Sequence, residues 1–472
     1  FNSANWEINN DLLNRTNNIL LKFKNDIQHN KIPLFSLINK DIDIDEIISN
    51  SKFFNSDNNL TDFILIGTGG SSLGAEALIQ AHSNQKLDKN INFHVLNSLD
   101  SNSVSKVFNL IKPNSSKFLA ISKSGKTIET IALLLVVIEW LFENDMKVDE
   151  SVMVMCENIN NTENTLMKIV HQYSLKAIKH TNIGGRFSVL SSTGLLPAAI
   201  MGLDLYSLRN AARRSLSNIF DNSALILSSS IFAKLNSSSE KLNCIIHYGD
   251  ALSSFVSWYK QLWNESLGKE SKGAFLLTGK GSLDQHSQLQ MWLDGPNIAN
   301  YTFIKVENKN GYKVLGDDKD LFLSGLTLEK IQNIMADSTF DALKDNGRSV
   351  RMISIPDISA ERVVELMVKF MLEVLVVAEL MEVDPYNQNA VEKIKINVSK
   401  RYQLVEPFLN VSTGKIFEDQ FRDSLVLELF WEEKINYKIV DQTQYETFKE
   451  ISFFKLIKKY ISKKIRSVFK KN

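Results

Sequence analysis

Only two cysteines occur, Cys156 and Cys244. That argues against a disulfide framework and against a cysteine zinc site, and it fits a reducing cytosol. Charge of one sign is missing as well. Lys plus Arg and Asp plus Glu both total 54, for a net charge of zero. A dedicated nucleic-acid binder is not expected on that balance, although a local basic patch is still open. No apolar run is long. Ile131 to Phe142, which contains Glu139, is too short to span a bilayer and predicts a buried helix instead. The first residues, Phe1 to Asn5, carry neither the basic flank nor the apolar core of a signal peptide. They also lack a methionine, so the true N-terminus is expected to precede Phe1. The remainder is the composition of an ordinary globular protein, 44% hydrophobic and 23% charged over 472 residues, which is long enough for two main domains.

Residues 1–55 predict a helical N-terminal arm, helical from Trp6 through Ile27 and then irregular and polar, without chemistry of its own. The run Phe63-Ile64-Leu65-Ile66 is bounded by Gly67 and followed by Thr68-Gly69-Gly70-Ser71-Ser72-Leu73-Gly74. Four apolar residues ending in glycine predict a buried parallel strand, and Leu73, Ala77 and Leu78 open a helix. Free backbone N–H groups at such a turn suit an anion or a sugar. A dinucleotide fingerprint needs a third glycine where Ser72 stands, and a purely structural tight turn is the other reading.

The strand–loop–helix order then repeats. Phe93 to Leu96 and Phe118 to Ile121 predict strands, and Ser122-Lys123-Ser124-Gly125-Lys126-Thr127 leads into the apolar helix. Hydroxyls, lysines and a helix start make a cradle for a phosphate dianion. The alternative is a Ser/Thr-rich capping loop. A nucleotide P-loop is disfavoured, because its first glycine would stand where Ala120 is.

Beyond a strand near Met153, Gly184-Gly185-Arg186-Phe187-Ser188 aims a permanent cation either at an anion or into a structural ion pair. After Asp204 a second α/β unit is predicted, with strands at Cys244–Gly249 and Ala274–Leu277. Between them a helix from Ala251 to Trp263 has one apolar face and meets Glu265 and Gly268. A carboxylate held there is either an exposed glutamate near a helix end or a rigid, partly desolvated base suited to proton abstraction. His286, near the start of the next helix, is the residue type that titrates near neutrality, or else an ordinary exposed or structural histidine. Val363 to Met381 predicts a long helix whose narrow polar stripe, Glu365, Lys369, Glu373 and Glu379, implies burial against a domain or a second subunit. Asp384-Pro385-Tyr386-Asn387-Gln388 ends it, and a further helix from Ala390 carries Lys395.

Taken together, Gly-Thr-Gly-Gly-Ser-Ser-Leu-Gly, Ser-Lys-Ser-Gly-Lys-Thr, Gly-Gly-Arg-Phe-Ser, Glu-Ser-Leu-Gly-Lys, Asp-Gln-His-Ser-Gln and Asp-Pro-Tyr-Asn-Gln-Asn-Ala-Val-Glu-Lys-Ile-Lys occur in that order. Over roughly residues 60–400 the chain resembles the glucose-6-phosphate isomerase family, in a short bacterial-like form. The resemblance implies an α/β fold of two sugar-isomerase domains, each a doubly wound parallel sheet, at 56–205 and 206–400. It implies a cytoplasmic homodimer of glycolysis and gluconeogenesis, acting on a sugar phosphate without metal or organic cofactor. It implies Glu265 as the base that moves a proton between C1 and C2, Arg186 as the cation on the enediolate, and His286, from the partner subunit, as a ring-opening group. Lys395 is implied near the ring oxygen. Ser122, Lys123, Ser124 and Thr127 match the phosphate loop, Gly69, Gly70 and Ser71 the wall of the sugar pocket, and Gln261 a substrate contact.

The chain departs from the family pattern at Ile128, where a glutamine is common, at Asn387 and Asn389, where Asp and Pro are frequent, and at Leu267. Rival readings are an isomerase that also takes mannose 6-phosphate and a non-catalytic sugar-phosphate sensor. Binding alone does not need Glu265, Arg186, His286 and Lys395 together. The stretch 401–472 is expected to be a C-terminal extension. It has a strand or short helix at Leu425–Trp431, and a basic amphipathic helix at Ile451–Asn472 with eight lysines or arginines and no acid. Such a helix either lies on anionic lipid or, as favoured, docks on its own dimer.

Overall fold

The computed structural model describes residues 2–4, 9–55, 59–82, 91–162, 164–220, 223–237, 242–307, 311–315 and 323–409. The expectations for Leu425–Trp431 and Ile451–Asn472 lie outside them. One compact unit spans Phe1–Gln388, and a second begins at Asn389.

Ten strands are described: β1 (Asn2–Ala4), β2 (Asp62–Ile66), β3 (Asn92–Leu96), β4 (Ser116–Ile121), β5 (Val152–Cys156), β6 (Lys176–Lys179), β7 (Leu242–Tyr248), β8 (Phe275–Lys280), β9 (Ala299–Val306) and β10 (Ser349–Ile355). They form two five-stranded sheets within the first unit, β3-β2-β4-β5-β6 and β1-β10-β9-β7-β8. Every pairing is parallel except that of β1 with β10. The two-sheet α/β expectation is met. The N-terminal residues differ from it, since Asn2–Ala4 add an antiparallel edge strand to the second sheet ahead of the helix Asn10–Gln28. Backbone pairing to Val350–Met352 satisfies groups that a helix there would have satisfied within itself.

β2 and β5 are buried at every position, as continuous apolar runs covered on both faces should be. The loops that follow β2 and β4 leave from one end of the first sheet, because those strands pair in parallel with Ile66 opposite Ala120. The helix Ser253–Leu267 buries Phe255, Trp258, Tyr259, Leu262 and Trp263. Each large apolar side chain so buried contributes about 1.5–3 kcal/mol before ordering entropy is counted. Trp263 Nε1 donates to the Ala274 carbonyl at 2.8 Å, and Gln80 Oε1 accepts Ser254 N at 3.0 Å. The helix therefore extends one turn beyond the predicted end, and Glu265 is held within its last turn rather than after it.

The apolar helix of the first sheet runs Ile128–Glu143. It is not wholly buried as expected: Leu135, Val136 and Phe142 face outwards, because only one side packs on the sheet. The long helix Ala360–Leu380 is buried over most of its length, the burial that its narrow polar stripe implied. Glu373 is buried and pairs with buried Arg351, Nη1 to Oε2 at 2.8 Å, whereas Lys369 is exposed. Among the described residues no helix is long and apolar enough to cross a membrane.

Candidate active site

The turn after β2 is a short 3-10 helix, Gly69–Ser71. Gly69 has φ of 56°, and a Cβ there would lie 2.9 Å from Gln261 Nε2. At Gly70 a Cβ would lie 2.3 Å from the backbone carbon of Gly185. Two backbones meet here, so a side chain is excluded at Gly70, whereas a Cβ on Gly185 would make only an ordinary contact at 3.5 Å. This brings the Gly-rich turn of the first motif against Gly185-Arg186 of the third and against Gln261, one helical turn before the fourth.

Arg186 is the hub. Its side chain is 2% exposed, and all five N–H groups have acceptors. Nε donates to Ser266 Oγ at 2.9 Å. Nη1 donates to Glu265 Oε2 at 3.0 Å and to Gln388 Oε1 at 3.1 Å. Nη2 donates to the Pro385 and Asn387 carbonyls, the latter at 3.0 Å. Burial lowers the Arg186 pKa, against the pull of the Glu265 charge. The planar guanidinium fits such a fan of acceptors, and an ammonium would not.

Glu265 accepts on both oxygens, from Arg186 and, at 2.9 Å, from Gln261 Nε2. Its side chain is 32% exposed, so it is reachable, fixed by hydrogen bonds more than by an apolar pocket. Gln261 Oε1 is buried with no partner among the described residues. Such an orphan acceptor needs a donor, and a sugar hydroxyl is one.

The Ser122–Thr127 loop leads into the helix Ile128–Glu143. Thr127 stands at the N-cap position but does not cap; its hydroxyl accepts from Ser122 Oγ at 2.9 Å. The first N–H groups of the helix thus lack a side-chain cap, which is the arrangement an anion completes. The Ser/Thr-rich capping reading is not met. Lys123 lies 3.9 Å from Glu157 and 3.4 Å from Asn182. Gly125, with φ of 64°, is packed against buried Asn164, whose Nδ2 donates to the Ser124 carbonyl at 2.7 Å. Gln388, Ser266 and Asn164 were missed as site residues. Gln388 and Ser266 sit inside quoted motifs, and the signal was the number of acceptors a buried arginine demands.

His286 is not brought to Glu265 within one chain. It is exposed, at the end of the 3-10 turn Asp284–His286 that follows β8, whereas Glu265 is on the helix that leads into the start of β8. A six-residue strand separates its ends by about 17 Å. Lys395 belongs to the second unit, exposed on the helix Asn389–Leu409 and 2.6 Å from Glu392. Among the described residues no cluster of His, Cys, Asp and Glu is able to hold a metal ion.

The chain was compared with known proteins. It is 32% identical to the glucose-6-phosphate isomerase of Rubrobacter xylanophilus over 70% of its own length and 80% of the relative's. It is 28% identical to that of Campylobacter jejuni over 79% and 93% of the two chains. Among solved structures, a Thermus thermophilus protein described as hypothetical matches with a TM-score of 0.72 at 27% identity, covering 83% of this chain and 95% of that one. A glucose-6-phosphate isomerase from Chlamydia trachomatis matches in fold, with a TM-score of 0.65 at 16% identity over 82% and 77% of the chains. A family model described as phosphoglucose isomerase matches residues 40–400, and the chain belongs to that family.

Proposed function

We propose that the protein is a glucose-6-phosphate isomerase, interconverting glucose 6-phosphate and fructose 6-phosphate as a step of glycolysis and gluconeogenesis. The observation that carries this reading is the pairing of an accessible carboxylate, Glu265, with a buried and fully hydrogen-bonded arginine, Arg186. The substrate's phosphate takes the uncapped helix start with Ser122, Lys123, Ser124 and Thr127. Its binding energy places C1 and C2 at Glu265 without the phosphate reacting. Gly69, Gly70 and Ser71 wall the sugar, and Gln261 offers its unpaired Oε1 to a hydroxyl.

In the aldose-to-ketose direction Glu265 takes the proton from C2 of the open chain and returns it to C1 through an enediolate. Taking that proton neutralises the carboxylate. Its claim on the Arg186 charge falls as negative charge appears on the substrate, so the guanidinium field turns to the enediolate when it is needed. Ring opening needs an acid, and His286 fills that part. Because β8 separates it from Glu265 of its own chain, it is supplied by a second copy, which makes the working form a homodimer. Lys395 stands near the ring oxygen in this scheme. No metal or organic cofactor takes part. The two sugar-isomerase domains are 56–205 and 206–400, and the location is cytoplasmic.

The test is conversion of fructose 6-phosphate to glucose 6-phosphate by the purified chain, with Glu265→Gln alongside. The wild type is expected to turn over. The variant is expected to lose at least about 10²-fold in kcat while still binding sugar phosphate, the scale of a lost general base. A folded wild type that binds the sugar phosphate without converting it would sink the reading in favour of a sensor.

A further inference from the structure

The segment Asp384–Gln388 follows the long helix and returns over the site, where two cations hold it. Lys269 Nζ donates to the Asn387 backbone carbonyl and, at 3.1 Å, to its side-chain Oδ1. Asn387 Nδ2 donates to Asp384 Oδ2 at 2.9 Å. The other Asp384 oxygen accepts Tyr386 N at 2.8 Å. Arg186 Nη2 shares the same Asn387 carbonyl at 3.0 Å. The side-chain amide thus lies between an ammonium and a carboxylate, accepting from one and donating to the other.

A carboxamide can do this because it has an acceptor and a donor on one carbon. A carboxylate at 387 would satisfy Lys269 but would put an oxygen against Asp384. Two carboxylates that close share a proton instead of both ionising. An apolar side chain would leave Lys269 and Asp384 each short of a partner. The charges facing the amide are Lys269 and, through the shared carbonyl, Arg186 with its partner Glu265, and Asp384 on its own segment. Burial and the Arg186 charge lower the Lys269 pKa, while Asp384 and Glu265 raise it, so the carboxylate on the far side of the amide helps to keep the ammonium protonated.

We propose that Asn387 is a positioning residue, whose amide bridges Lys269 to Asp384 and so sets the Pro385 and Asn387 carbonyls on Arg186, fixing the guanidinium against Glu265. It touches no reacting atom and acts through Arg186. The inference rests on the isomerase reading of that pair.

The experiment compares wild type, Asn387→Asp, Asn387→Ala and the swap Asp384→Asn/Asn387→Asp. It follows kcat and KM for fructose 6-phosphate from pH 5.5 to 9, with thermal unfolding of each protein. Asn387→Asp and Asn387→Ala are expected to lose about tenfold in kcat at high pH, the worth of one charge-assisted hydrogen bond. The Asn387→Asp deficit shrinks as pH falls, because a shared proton restores a donor between the two carboxyls; the Asn387→Ala deficit does not. The swap returns kcat to within about threefold of wild type, since Asn at 384 then donates to Asp at 387. Stability follows the same order, with the swap more stable than Asn387→Asp. The inference is overturned if Asn387→Asp matches wild type across the pH range, or if the swap is no better than Asn387→Asp in either readout. An inactive wild type overturns the isomerase reading and the positioning role with it, whereas an active wild type beside an unaffected Asn387→Asp overturns this inference alone.

Discussion

Arg186 Nη1 meets Glu265 Oε2 at 3.0 Å across 79 residues of sequence. The contact joins the 3-10 helix Gly185–Leu190 to the helix Ser253–Leu267. It needs Arg186 at the start of that short helix and Glu265 in the last turn of the longer one. Four consequences of this arrangement and of its buried neighbours are open to measurement.

Arg186→Lys keeps the charge but offers three donors on one atom where five on a planar fork are in use. At least two of the five acceptors, Ser266, Glu265, Gln388, Pro385 and Asn387, lose the bond to residue 186, and the planar fork that fixes Glu265 is gone. The expected result is a kcat at least about 10²-fold lower with a smaller change in KM, the scale of losing an aligned charge donor in an active site. Steady-state kinetics with fructose 6-phosphate check it. A variant within threefold of wild type would mean that charge alone suffices.

Gly70→Ala tests the backbone approach. The added methyl would sit 2.3 Å from the Gly185 backbone, and no rotamer change relieves a clash with main chain. A loss of about 1–3 kcal/mol is expected, with activity falling alongside because Arg186 follows Gly185 directly. Gly184→Ala is the control for stability, since its nearest neighbour is a Phe187 ring carbon at 3.7 Å, an ordinary contact. Denaturant midpoints of the two variants compare them.

Sequence made much of this site readable, for reasons that end where long-range pairing begins. β2 and β4 were legible because parallel strands covered on both faces read as unbroken apolar runs. The Glu265 helix was legible because one face is apolar at helical spacing. β9 and β10 went unread. In β10, Arg351 breaks the apolar run, and what allows it to be buried is Glu373 on another element together with the rings of Phe232 and Phe370. That partnership leaves no local trace. Glu373, read as one residue of a narrow polar stripe, is the other half of the same buried pair. The motifs identified Glu265, Arg186 and Gln261 one by one, but not the convergence of Gln388, Ser266 and two carbonyls on one guanidinium.

The Arg351–Glu373 pair gives a stability prediction. Both side chains are at most 6% exposed; Ser228 Oγ donates to Glu373 Oε2 and Thr302 Oγ1 accepts from Arg351 Nε. Arg351→Met alone leaves a carboxylate buried without its cation and is expected to cost about 3–5 kcal/mol. Arg351→Met/Glu373→Leu removes both charges and is expected to recover most of that loss. Urea unfolding of the single and double variants decides. Equal loss in both would show that the apolar packing, and not the orphaned charge, sets the cost.

The last prediction concerns pH. His180 and His247 are both buried, and burial lowers the pKa of each below the ordinary histidine value. A hydrogen bond to a carbonyl, Thr181 for His180 and Gly249 for His247, works the other way without cancelling it. Lys123 and Lys280 add to the lowering. In the unfolded chain both rings take up protons near pH 6.5, while in the folded chain they stay neutral to lower pH. The unfolded state therefore binds more protons in that window, and stability rises with pH there. Their contribution is complete above about pH 6.5 and is lost progressively as pH falls towards the folded-state values. Urea midpoints should drop between pH 7.5 and pH 5.5. A His180→Gln/His247→Gln protein should show a smaller drop over the same interval, even though losing the hydrogen bond from Thr193 Oγ1 to His180 lowers its stability at every pH. An unchanged drop in that variant would show that these two rings do not set the acid sensitivity, and Asp62 is no substitute for them over that interval. At Asp62, burial raises the pKa, and bonds from Thr61, His94 and Asn92 more than reverse it, so the stability Asp62 contributes fades only in more acidic solution.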